Sequence, residues 1–182
     1  MMISNIIRKS ALKLFICLGV PLSLFSSSFV GAQSADVYPL KTALVYNFAK
    51  FTQWPETAVS SVVNICYFSE LYKPSMERLA GKKISKSLVL VKQVKNIDEV
   101  DQCQLLYIDK SQREKLNRLF LKVKGKPILT VSDISGFYGE GGMIEITVKD
   151  NRLRFLINLF PVNESDMVLS SQMLKLAVEV KR

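Results

Sequence analysis

Apolar residues recur at intervals of four, four and three through Leu40, Leu44, Phe48 and Phe51, and Val37 and Val45 widen the same side. That spacing predicts one apolar stripe down a helix over residues 38–55. Pro39 suits its first turn, where a missing N–H is harmless. Pro55 pushes Trp54 out of helical geometry and closes the helix. The opposite side carries Asn47, Lys50 and Gln53, and the only Trp of the chain stands at the tip.

Beyond the helix the pattern changes period. Residues 62–68 (VVNICYF) are β-branched, aromatic and mostly apolar, which predicts a strand. Residues 70–79 predict a helix ending at Gly81, with Pro74 inside it, and 82–87 a basic surface loop. Strands are predicted at 88–94, 104–109 and 127–132, with a helical turn at 97–100. A further helix is capped by Ser111, with Glu114 completing a capping box, and buries Leu116, Leu119 and Phe120.

Continuous apolar strands alternating with helices are the mark of a mostly parallel sheet covered on both faces. Residues 143–148 and 153–158 then read as a hairpin around the Lys-Asp-Asn-Arg turn at 149–152. Residues 169–180 predict a closing helix with Leu174, Ala177 and Val178 in the core. The expected fold is a three-layer α/β domain. Its sheet has about six strands, is mostly parallel with an antiparallel C-terminal hairpin, and carries helices on both faces.

The first 32 residues predict a Sec signal peptide. Arg8, Lys9 and Lys13 form a basic start, 14–25 is largely apolar, and Val30-Gly31-Ala32 fits a small-x-small cleavage site, with Ala35 a second candidate. An uncleaved N-terminal anchor is the alternative, and the shortness of the apolar run argues against it. The mature chain then spans 33–182, one α/β domain, and the net charge falls from +9 to +6 because the leader carries three basic and no acidic residues. A moderate positive excess favours acidic surfaces, but the lysines are scattered rather than interleaved with aromatics, which argues against nucleic acid.

Cys17 leaves with the leader, and Cys66 and Cys103 remain as an even pair in an oxidising compartment, which predicts a disulfide. Two buried free thiols are the alternative. If the strands wind in the common order, the first lies beside the third, which brings these two cysteines within reach. The chain has no His, and two Cys alone do not close a zinc shell, so no metal is expected.

Three stretches are left for chemistry. The glycine-rich run 133–142 (DISGFYGEGG) is not a phosphate loop, because it feeds a strand and no Lys-Ser/Thr follows. It reads as a turn, with Phe137 and Tyr138 offered at its tip for recognition. Ser170 and Ser171 before an apolar run read as helix caps, with a Ser171–Lys175 hydrolase pair as the minor reading. Arg154 and Asn158 share one face of a strand, as a buried network or as a contact for a partner. Asp109 and Asp133 stand at the C-terminal ends of two predicted parallel strands, where open α/β sheets place ligands. No catalytic constellation converges, so the chain is expected not to be an enzyme and to need no cofactor.

The ordered set YNFAKFTQWP, a Cys in the first strand, Cys103 before a later strand, then ILTVSD, GGMIEI, RFLIN and LSSQMLKLA resembles the YfiR family of exported bacterial proteins. The resemblance covers essentially the whole mature chain. It implies a periplasmic α/β protein, often a homodimer, that inhibits an inner-membrane diguanylate cyclase through that enzyme's periplasmic sensor domain. It also implies an outer-membrane lipoprotein partner that sequesters the inhibitor. Cys66 with Cys103 matches the family's structural disulfide; the second cysteine pair of some members has no counterpart here. Trp54, Phe137 and Tyr138 are expected as exposed anchors for the partner, with Asp133, Arg154 and Asn158 as further binding candidates. The alternative is a periplasmic small-molecule sensor for a histidine kinase or a transport system, with its ligand near Asp109 and Asp133.

Overall fold

A computed structural model describes residues 37–59 and 61–182. The expectations for residues 1–36, the leader and its cleavage site, lie outside the described residues. Helix α1 (Val37–Lys50) leads into a two-residue strand β1 (Thr52–Gln53) and then β2 (Val62–Tyr67). A short helix α2 (Lys73–Met76), flanked by 3₁₀ turns, precedes the antiparallel pair β3 (Lys83–Ile84) and β4 (Ser87–Gln93). A 3₁₀ segment (Ile97–Gln102), β5 (Leu105–Ile108), a second 3₁₀ segment (Lys110–Lys115), α3 (Leu116–Val123) and β6 (Leu129–Ser132) follow. The chain closes with β7 (Ile144–Lys149), β8 (Arg152–Asn158), α4 (Leu159–Asn163), β9 (Val168–Leu169), α5 (Ser171–Leu176) and β10 (Glu179–Lys181).

The main sheet runs β10-β8-β7-β6-β5-β2-β4-β3. Its strands from β4 to β7 are parallel, and β7–β8 is the antiparallel hairpin. The expected mostly parallel α/β sheet with helices on both faces is therefore present, with eight strands rather than six. Alternation within the strands splits the core in two. Val63, Ile65, Leu105, Tyr107, Leu129 and Val131 face α1 and α2. Cys66, Leu106 and Ile108 face the 3₁₀ segment and α3. The hairpin turn holds Asp150 and Asn151 at φ 52° and 56°, the paired left-handed conformation of a type I′ turn, which Asp and Asn tolerate.

The second strand of the sequence order, β4, lies on one side of β2, and β5 lies on the other. This puts the first and third predicted strands side by side. Cys66 on β2 and Cys103, just before β5, are bonded as a disulfide with Cα atoms 5.8 Å apart.

Several expectations are corrected. Helix α1 buries Thr42, Val45, Phe48 and Ala49, whereas Leu40 is exposed. The small side chains of Thr42 and Ala49 let the helix approach the sheet closely, so the buried stripe is turned by about one residue from the one that apolarity alone marks. Phe48 meets Phe155 edge to face at 4.9 Å. The helix stops at Lys50 rather than beside Pro55. Thr52 Oγ1 donates to the Phe48 carbonyl, and Thr52 and Gln53 pair with Leu169 and Val168.

The predicted C-terminal helix is also shorter, ending at Leu176. Ala177 turns extended, and β10 adds in parallel to the open edge of β8. An unpaired strand edge offers backbone groups that a helix of few buried residues does not outweigh. Val178 is accordingly exposed, not core, while Leu174 and Ala177 do pack against the core. The loop predicted at 82–87 contains β3. The cap at the start of 110–115 is Asp109, whose carboxylate accepts from the Ser111 N–H at 3.0 Å, rather than Ser111 itself.

Candidate ligand cleft at the strand ends

The chain crosses from β4 back past β2 to reach β5, so the connections change face between β2 and β5. In open α/β sheets this switch point leaves a crevice at the carboxyl ends of the strands. Here a cleft of about 400 Å³ opens at that place. Ser69 enters it after β2, Asp109 after β5 and Asp133 after β6, while α1 contributes Tyr38 and Lys41.

Each acidic group is held by local structure. Asp109 Oδ1 caps the 3₁₀ segment, and the side chain is almost fully buried. Asp133 follows Ser132, whose hydroxyl donates to the Ile108 carbonyl at 2.7 Å and accepts from the Ile134 N–H at 3.0 Å. That clamp fixes the end of β6 against β5. Lys41 of α1 donates to Asp133 Oδ2 in a buried ion pair. The Tyr72 hydroxyl donates to the same oxygen at 3.1 Å, and the Tyr107 hydroxyl donates to Tyr72 at 2.8 Å.

Tyr72 is further wedged between rings, edge-on to Tyr38 at 4.8 Å and tilted against Tyr107 at 4.6 Å. Burial pushes the Tyr107 hydroxyl far above its ordinary range, with Asp133 adding to the effect. Burial does the same to Tyr72, again with Asp133 contributing. Both phenols are therefore protonated donors at neutral pH. They form a relay of two hydroxyls ending on a carboxylate that Lys41 neutralises.

One oxygen of each Asp is left over. Asp109 Oδ2 and Asp133 Oδ1 are buried and have no hydrogen-bond partner. Buried polar atoms without partners are rare in folded proteins, and each asks for a donor.

The other predicted binding residues fall elsewhere. Trp54 is half-buried at the opposite end of β5, where its Nε1 donates to the Gln104 carbonyl at 3.1 Å. Phe137 is fully buried, not exposed at a loop tip. It packs on Phe120 at 5.4 Å, and a Cβ at Gly142 would lie 2.1 Å from its ring. The glycine there makes room for the ring, which is why the loop turns inward. Tyr138 and Asn158 are brought together: the Asn158 side chain donates to the Tyr138 carbonyl at 2.8 Å and caps α4 through the Phe160 N–H. The Tyr138 hydroxyl reaches Glu179 at 2.9 Å. Arg154 is exposed. Ser170 caps α5 through the Met173 N–H, and Ser171 and Lys175 lie on the surface.

The structure thus joins Asp133 with Asp109 and adds Lys41, Tyr72 and Tyr107, which sequence reading missed. A signal for Lys41 was present. It stands four residues before Val45 and seven before Phe48, a charge on the buried stripe of α1. A larger groove of about 570 Å³ lies between α3 and α4, beside the exposed Leu121 and Phe160. None of the unpartnered buried polar atoms lies in it, so the strand-end cleft is the stronger candidate for a ligand.

Residues 38–178 match the model of the YfiR/HmsC-like family. The chain belongs to the YfiR/HmsC-like family. That family is one of periplasmic regulators of diguanylate cyclases rather than of catalysts. A search of curated proteins finds none that matches this YfiR/HmsC-like chain. Among solved structures it is similar to a conserved domain protein from Vibrio cholerae O1 biovar eltor, at 8% identity and a TM-score of 0.52, with 79% of this chain and 60% of that one covered. It is also similar to the ABC domain in complex with L-Trp from Streptococcus pneumonia, at 11% identity and a TM-score of 0.48, again covering 79% and 60%. The chain spans about three fifths of the length of both. The Vibrio likeness supports the α/β fold alone. Among the described residues no helix is long and apolar enough to cross a membrane.

Proposed function

We propose that this protein is an exported, non-enzymatic inhibitor that binds the periplasmic sensor domain of an inner-membrane diguanylate cyclase and lowers cyclic-di-GMP output. The observation that carries the reading is the family match over residues 38–178. The Cys66–Cys103 disulfide suits an oxidising compartment and supports it. In this reading residues 1–32 are a signal peptide and 33–182 the single working domain. A homodimer engages the cyclase, and an outer-membrane lipoprotein competes for it.

An inhibitor acts by binding one state of its partner better than another, and a tenfold preference is worth about 1.4 kcal/mol. Tyr138 and Arg154 are the proposed partner contacts, with the half-buried Trp54 at a separate place. Phe137 has no accessible surface and is not among the contacts.

The test is deletion and overexpression of the gene with cellular cyclic-di-GMP measured in both strains. Deletion is expected to raise the nucleotide and overexpression to lower it. No change in either strain refutes inhibition. Alanine at Trp54, Tyr138 and Arg154 is expected to weaken capture of the cyclase sensor domain without lowering thermal stability by much. Undiminished capture by all three variants removes them from the interface.

The second reading is a small-molecule sensor coupled to a histidine kinase or a transport system. The two unpartnered carboxylate oxygens in the strand-end cleft favour it. Ligand-dependent binding to a kinase sensor domain, with cyclic-di-GMP unchanged, is its expected outcome.

A further inference from the structure

We infer that a groove between α1 and the segment from α2 to β3 binds a phosphate monoester through Arg78 and Lys82. The inference stands independently of cyclase inhibition, because it rests on the groove alone.

The groove encloses about 440 Å³ and shares no lining residue with the strand-end cleft. Its buried members, Thr42, Ser75 and Leu79, form the floor. Pro39 and Ala43 have short side chains that leave the α1 side open. The exposed polar members, Asn47, Arg78 and Lys82, form the rim. Two cations and no carboxylate therefore line the groove. Glu77 precedes Arg78 in the chain but is not part of the lining. Neither Arg78 nor Lys82 has an ion pair among the described residues. Lys82 Nζ stands 5.6 Å from the centroid of the Tyr46 ring. The Tyr46 hydroxyl donates to the Lys83 carbonyl at 2.8 Å, which fixes that ring in the wall. A concave surface lined by one sign of charge focuses its field and raises the local concentration of the opposite sign.

The rim sets the chemistry of the ligand. Two cations reject a third and draw an anion. A phosphate monoester carries about −1.5 to −2 charge at neutral pH, which balances both, whereas a carboxylate balances one. The Arg78 guanidinium is a planar fork that matches two phosphate oxygens, Lys82 adds a point charge, and the Asn47 amide adds a further donor. The Tyr46 ring and Leu79 give the organic part of the ester an apolar contact. A volume of about 440 Å³ lies within the range of small-molecule sites. Soluble metabolites and lipid headgroups such as phosphatidate both carry this group, so the recognition chemistry is the same for either source.

The experiment uses three probes that share a ring and differ in charge: phenyl phosphate, phenyl sulfate and phenol. Each is titrated into the purified protein at neutral pH by calorimetry. Phenyl phosphate is expected to bind roughly tenfold or more tightly than phenol, with phenyl sulfate between them. Arg78→Gln and Lys82→Gln are each expected to weaken phenyl phosphate roughly tenfold and to leave phenol unchanged. Both side chains are exposed, so the variants keep the fold. Lys95→Gln removes an exposed lysine outside the groove and is expected to change nothing, which separates the groove from the general positive charge of the chain. Phosphatidylcholine vesicles containing phosphatidate form a second arm. Retention on them that is lost in Arg78→Gln assigns the ester to a lipid, and phenyl phosphate binding without retention assigns it to a soluble molecule. Three outcomes overturn the inference: phenyl phosphate binding no more tightly than phenol, an affinity unchanged in both groove variants, or an equal loss in Lys95→Gln. Absence of phenyl phosphate binding at millimolar concentration together with no vesicle retention refutes it as well. Cyclic-di-GMP measurements are not involved, so this inference and cyclase inhibition fail separately.

Discussion

Lys41 on α1 and Asp133 at the end of β6 are 92 residues apart and form a buried ion pair, their side chains 14% and 8% exposed. The pair ties the first helix to the far end of a strand it does not adjoin in sequence. Lys41→Met would leave Asp133 with only the Tyr72 hydroxyl. Removing one member of a buried pair typically costs 3–5 kcal/mol, and the surviving hydrogen bond places the expected loss near ~3 kcal/mol. Adding Asp133→Asn removes the orphaned charge, so the double variant is expected to be more stable than Lys41→Met alone. Urea unfolding of the three variants measures both effects. A Lys41→Met midpoint equal to that of the wild type would show that the pair does not hold the helix.

The ring of Phe137 occupies the space that a side chain at position 142 would need, and Gly142 leaves that space free. A Cβ at Gly142 would stand 2.1 and 2.2 Å from two ring carbons. Gly142→Ala is expected to destabilise by about 2–3 kcal/mol, since overpacking a tight core costs that much. Gly139→Ala is the control: its Cβ would come no nearer than 3.4 Å to any atom considered, and its expected effect is within about 0.5 kcal/mol. Thermal melts of both distinguish a specific clash from general sensitivity of the loop.

Alkaline stability follows from the tyrosine relay. Tyrosine ordinarily ionises near pH 10. Burial holds Tyr72 and Tyr107 protonated beyond that in the folded chain. The unfolded chain therefore loses these protons first. Their contribution is fully present below about pH 10 and is lost as pH rises above it toward the folded values. Two such groups give a slope of up to roughly 3 kcal/mol per pH unit. Denaturation midpoints between pH 8 and 11 should fall steeply at the upper end, and Tyr72→Phe should roughly halve the slope. A flat profile would mean that the hydroxyls ionise freely in the folded state.

The disulfide spans 37 residues of separation and links β2 to the start of β5. Closing such a loop is worth about 4 kcal/mol in the chain-entropy treatment, and strain lowers that. Cys66→Ala with Cys103→Ala is expected to lose about 2–4 kcal/mol while keeping the far-ultraviolet spectrum, because both positions lie inside an apolar cluster. Equal stability of the double variant and the oxidised wild type would remove the bridge from the folding energetics.

The central strands were legible because β5 and β6 are buried on both faces and β2 nearly so. Runs such as VVNICY and LLYI are apolar at every or nearly every position, and that is a local property. The hairpin was legible because Asp150 and Asn151 tolerate the left-handed backbone its turn needs. Residues 169–180 misled for the opposite reason. Their helical spacing is genuine, yet residues 179–181 gain more by pairing with the open edge of β8, and nothing in the local pattern announces that edge. Phe137 misled because its exposure is set by the space at Gly142, not by its own loop.

The amino-acid sequence by itself determined the six strands β2, β4, β5, β6, β7 and β8, that the sheet is mostly parallel, and that Cys66 meets Cys103. Periodicity and turn chemistry act between neighbouring residues, and the even cysteine count leaves one partner for each. Only the tertiary structure decided that Lys41, Tyr72, Asp109 and Asp133 share one cleft, with Tyr107 buried behind Tyr72. They come from four separate segments, since Tyr107 and Asp109 both belong to the end of β5, and their meeting depends on strand order and on which face each connection crosses. That is a matter of long-range packing, which no local spacing encodes.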